Sequence, residues 1–135
     1  MISILRNISS VFAGGIIGSI VNLGLIIIGS KVVPPPEGMN IMDAESIKAN
    51  IHLFELKHYL FPFLAHAGGT LAGAFIASII SASKHLIFAM VIGVFFLIGG
   101  IANTYMIPAP MWYNILDISL CYIPMSWLGW KISGK

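Results

Sequence analysis

The chain has 135 residues, of which 58% are apolar and 9% charged, with a formal net charge of +2. Soluble domains carry about 25% charged residues, so this surface suits lipid better than water, and its small, scattered charge excludes a nucleic-acid footprint. One cysteine, Cys121, excludes both an intrachain disulfide framework and a CxxC metal motif.

The first apolar run covers about 8–30. It is too long for a secretory leader and lacks a small-x-small cleavage site, so it reads as a retained helix behind Arg6. A connection over 31–58 follows, opening with the stiff stub Pro34-Pro35-Pro36-Glu37-Gly38. Asp43 has the character of an N-cap, with Glu45 and Ser46 in the first turn. Ile47, Ile51, Leu53 and Phe54 then recur at helical spacing between Lys48, Asn50 and Glu55. This predicts an amphipathic helix of about 14 residues that lies on the bilayer surface or caps the bundle; the alternative is a solvated loop with one or two helical turns. Three more apolar runs follow at about 59–83, 86–107 and 111–130. Lys84-His85 and Pro108-Ala109-Pro110 make tight turns between them, since two prolines cannot continue a helix. At about 1.5 Å per residue each run reaches across a hydrocarbon core of about 30 Å, and in lipid each has to be helical to satisfy its own backbone. The expected fold is all-α: one integral membrane four-helix bundle, with an external amphipathic segment between its first two spans.

Arg6, Lys84, Lys131 and Lys135 fall on one side of this arrangement. Lys31, Lys48 and Lys57 fall on the other, mixed with Glu37, Asp43, Glu45 and Glu55. Bases without acids favour the cytoplasm, which puts both termini inside and the loop outside. Trp112 and Tyr113 at one end of the fourth span, and Trp127 and Trp130 at the other, fit interfacial aromatic belts.

The second span carries Ala65, Gly69, Gly73, Ala77 and Ser81 at four-residue spacing, and the first carries Ser10, Gly14, Gly18 and Asn22. Such stripes let helix backbones approach closely, within one chain or between chains. Polar residues share these faces: Asn22, His66, Asn103 and Asp117, with Tyr122 beyond. They predict one buried polar cluster about 10 Å below the outer surface. Asp117 is the one acid within a span, and a lone carboxylate there costs on the order of 3 kcal/mol, so it needs a proton, a partner or water. Three uses are open. The cluster is a hydrogen-bonded lock between helices, a proton or cation site built on Asp117 and His66, or a headgroup or small-ligand pocket opening outward. A metal site from His52, Glu55 and His58 follows no ligand pattern, and Cys121 reads as a packing residue. No phosphate loop, nucleophile elbow or paired-histidine metal helix occurs, so neither an enzyme nor a cofactor is indicated.

Pro34-Pro35-Pro36-Glu37-Gly38, the segment from His66 to Gly73, Ile101-Ala102-Asn103 with Pro108-Ala109-Pro110-Met111-Trp112, and Asp117 to Pro124 with Leu128-Gly129 together give a resemblance. In that order they resemble a group of small four-helix bacterial inner-membrane proteins of uncharacterised activity. The resemblance implies a bacterial inner-membrane protein and no particular chemistry. The expected role is non-catalytic, through helix association with itself or a membrane partner. The alternative is a small transporter or proton-coupled channel using Asp117 and His66.

Overall fold

The computed structural model describes residues 1–135 and is all-α, with no strand. Helix α1 covers Ile2–Val32, α2 Ala44–Asn50, α3 Leu60–Ile80, α4 His85–Met106, α5 Met111–Leu120 and α6 Ile123–Ile132. Single 3-10 turns at Ile51–Leu53 and Leu56–Tyr59 link α2 to α3. Three segments are long and apolar enough to cross a membrane: Ile2–Val32, Leu56–Ile80 and His85–Met106. Large apolar side chains such as Phe12, Ile20, Phe95 and Ile98 are exposed.

The fourth apolar run is not the single helix expected over 111–130. It is two ten-residue helices with a break at Cys121–Tyr122. Pro124 is the cause: it has no N–H for the Leu120 carbonyl, and its ring crowds that carbonyl. The last bond of α5 runs from Cys121 N–H to the Asp117 carbonyl at 2.9 Å. Tyr122 then leaves the helix at φ −116°, ψ −77°, and α6 restarts with Pro124 in its first turn.

The connection between α1 and α3 also differs from expectation. Asp43 is the N-cap, accepting from Glu45 N–H at 3.1 Å, but α2 lasts seven residues, not about 14. Its Ile47, with Ile51 and Phe54 just beyond it, turns inward over the end of the bundle. His58 holds this cap in place. Its Nδ1 accepts from Glu55 N–H at 2.8 Å and its Nε2 donates to the Pro34 carbonyl at 3.2 Å.

Helices α1 and α3 pack antiparallel through the small-residue stripes. A Cβ added at Gly18 would lie 2.7 Å from the Gly69 carbonyl oxygen, and one at Gly14 would lie 2.6 Å from that of Gly73. Gly69, Gly73 and Ala77 of that stripe thus pack against α1 of the same chain, and Ala65 and Ser81 are buried as well; it is not a surface left for a second molecule. Gly129 packs α6 onto α3 in the same manner, where a Cβ would meet the Leu71 carbonyl at 2.6 Å. At the far end, Lys84 turns the chain into α4 with a left-handed φ of 52°. Asn7 Oδ1 accepts from Ala82 N–H there, and Arg6 Nε donates to the Ile80 carbonyl.

Candidate functional site

Asp117, His66 and Tyr122 meet. His66 Nδ1 lies 2.7 Å from Asp117 Oδ1. The Tyr122 hydroxyl donates to Asp117 Oδ2 at 2.7 Å and sits 3.2 Å from His66 Nδ1. Asp117 and Tyr122 are buried, at 4% and 2% exposure, so both carboxylate oxygens are satisfied inside the bundle. Three devices make this geometry. Thr70, one turn beyond His66, donates to the His66 carbonyl and stays within α3. Gly100 of α4 leaves room for the Tyr122 ring, which any side chain there would strike. The third is the break between α5 and α6. Residues five apart on an unbroken helix stand about 140° apart around its axis; rewinding at Tyr122 brings its hydroxyl back to Asp117.

Above these residues, on the side of the 33–59 connection, lies a cavity of about 370 Å³. Its walls come from α1, α3, α4 and α5, and its roof from the α2 region. His66 is the one member of the trio that lines it. With Nδ1 committed to Asp117, its Nε2 is the ring nitrogen left without a protein partner. Asn103 and Tyr113 line the same cavity. The Asn103 amide makes no hydrogen bond to the protein, and the buried Tyr113 hydroxyl has no partner. On the opposite side of the trio the interior is closed. Ala74, Ala77, Ala89 and Ile92 are fully buried there, with Val11, Phe96 and Trp130 packed around them.

The polar residues singled out from sequence therefore separate. His66, Asp117 and Tyr122 form one hydrogen-bonded unit, and Asn103 joins His66 in the cavity wall. Asn22 does not join them: it packs on Gly69 in the α1–α3 groove and makes no side-chain hydrogen bond. Cys121 is fully buried, its thiol 3.5 Å from the Phe63 carbonyl. His58 has both ring nitrogens occupied by backbone groups, and Glu55 pairs with Lys57 at 3.3 Å. His52 is exposed beside them, so that trio does not converge on an ion. Tyr113, read from sequence as a belt aromatic, is instead a buried cavity residue. Its position four before Asp117 was the available signal, because residues four apart share a helix face. Comparisons with protein-family models, curated proteins and solved structures gave no match.

Proposed function

We propose that this chain is a small, non-catalytic, multi-pass protein of a bacterial inner membrane that holds a small ligand in the cavity floored by His66. In this reading α5 and α6 together make the fourth crossing, both termini are cytoplasmic, and the cavity opens toward the outer face. One observation carries it: a polar trio satisfied on its buried side reaches an apolar-walled cavity through one side chain, His66, whose Nε2 has no protein partner. Sites for small molecules have this character, mostly apolar walls with a few converging polar groups. A purely structural lock has no need of the cavity, or of Asn103 and Tyr113 left without partners beside it. Association through the small-residue stripe, the role expected from sequence, loses support because α1 occupies that stripe. Self-association, or contact with a membrane partner, would have to use the outer apolar faces. The transporter or proton-coupled channel reading needs a second route to the trio, and the packed layer at Ala74 and Ile92 gives it none in this conformation.

The test is chemical access. Asn103→Cys should react with a small thiol reagent added from the loop side, whereas Cys121 should stay unreactive in the same protein. An unreactive Asn103→Cys in folded protein would mean a sealed cavity and would return the trio to the role of a lock.

A further inference from the structure

We propose that the end of the bundle opposite the cavity binds an anionic phospholipid, its phosphate held by Arg6 and Lys84 and its chains laid on the apolar side chains beside them. This rests on the reading of the chain as a membrane protein and is independent of the cavity.

Charge is divided unequally between the two ends. The connection over 31–58 mixes Lys31, Lys48 and Lys57 with Glu37, Asp43, Glu45 and Glu55. The other end holds Arg6, Lys84, Lys131 and Lys135 and no Asp or Glu. All four bases are exposed, and none makes an ion pair.

Two of them are held together by the fold. Arg6 Nε donates to the Ile80 carbonyl at 2.6 Å, which leaves the two terminal nitrogens of its guanidinium without a protein partner. Asn7 Oδ1 accepts from Ala82 N–H at 2.8 Å, and the Ser81 hydroxyl donates to the Ser78 carbonyl at 3.0 Å. The turn that carries Lys84 is thereby pinned to α1 next to Arg6. Lys84 itself is the only non-glycine residue of the chain with a positive φ, 52°. Glycine or asparagine adopts that conformation with less strain. A base anywhere in the turn would serve to orient the chain in a membrane; a base at the strained position points to a contact for its ammonium.

The surroundings give the kind of anion. Leu5, Ile8, Ile79, Leu86 and Ile87 are exposed on the helices that lead to this turn. Trp130 packs on the cluster of Ala74, Ala77, Ala89 and Ile92, which sets the end of α6 at the same level. There the Lys131 ammonium lies 4.7 Å from the centroid of the exposed Trp127 ring. Bases rimming an apolar belt match a ligand that is negative at one end and apolar along the rest. Phosphate suits the pair, since a guanidinium offers it a fork of donors and an ammonium a point charge.

The test places the full chain in nanodiscs of phosphatidylglycerol and phosphatidylcholine in equal parts, with identical acyl chains. Lipids retained on the released protein are read by native mass spectrometry. Wild-type protein should retain phosphatidylglycerol over phosphatidylcholine by at least about fivefold, the equivalent of about 1 kcal/mol for one base near the surface. Arg6→Gln and Lys84→Asn should each lower that preference by about fivefold, and Lys48→Gln, at the acidic end, should leave it unchanged. Lys84→Asn should also melt at or above the wild-type temperature, because asparagine relieves the strained φ; its lost preference then cannot come from a damaged fold. Equal retention of the two lipids by the wild type, an unchanged preference in either Arg6→Gln or Lys84→Asn, or an equal loss in Lys48→Gln would each overturn the proposal while leaving the membrane reading in place. A chain that stays in aqueous buffer and does not enter nanodiscs would overturn both.

Discussion

Two adjacent glycines of α4 have opposite surroundings. A Cβ at Gly99 meets nothing within 4 Å, whereas one at Gly100 would strike the Tyr122 ring. Gly100→Ala should therefore push Tyr122 away from Asp117 and lower thermal stability, by about 1–3 kcal/mol for overpacking. Gly99→Ala should be neutral or slightly stabilising, as expected of a helix residue gaining a methyl. Thermal unfolding of both variants in nanodiscs checks the contrast, and equal effects would mean that Tyr122 is not held where described. His66, Asp117 and Tyr122 were legible in the sequence because a polar group inside an apolar run has few places to go. The part played by Gly100 was not legible, since the ring it admits belongs to a segment 22 positions later. Asn22 was misassigned for a related reason: helical spacing gives the face of a helix, but not which neighbour that face meets.

Each helical element has a distinct physical cause. The α1–α3 pair exists because glycines on both helices let backbone approach backbone, so Gly69→Ala should cost about 1–3 kcal/mol. Gly15→Ala, where nothing lies within 4 Å, should cost little; the two melting curves decide. The break between α5 and α6 invites the opposite experiment. Pro124→Ala restores the missing donor and should raise helix content by circular dichroism. Yet it should also lower stability, because a continuous helix carries Tyr122 away from Asp117. Higher helix content together with higher stability would show that the break is not needed to assemble the trio. Apolar periodicity located the long helices to within a few residues at most boundaries. It missed the broken one, because apolarity continues unaltered across Pro124 while the hydrogen-bond ladder does not. The 33–59 connection is held as turns in part by the His58–Pro34 bond across 24 positions, which no local pattern encodes.

At the scale of the molecule, α1 and α4 rise toward the cavity end while α3 and the α5–α6 pair descend from it. Both termini and the 81–84 turn thus share the end opposite the cavity. For the proposed membrane orientation, Glu37→Cys and Ser83→Cys should be labelled by an impermeant thiol reagent from opposite sides of intact vesicles. Glu37→Cys should react from outside, and labelling of both from one side would refute the orientation. The sequence conveyed an all-α chain with spanning-length helices because composition and run length alone fix those. It could not convey the cavity, which exists only where four helices and a folded-back connection meet.

In the proposed topology, where α5 and α6 together make a fourth crossing, the divided segment also bears on biogenesis. Helices of ten residues, about 15 Å each, are individually too short to partition across a bilayer, and α5 carries Asp117. By the time this segment enters, the earlier helices can already present His66 and the space beside Gly100. Insertion of the segment is then guided by the protein already in place rather than by its own apolarity. A protein with His66→Leu would accordingly be expected to fail first at integration of this last segment, while its first three helices enter the membrane normally.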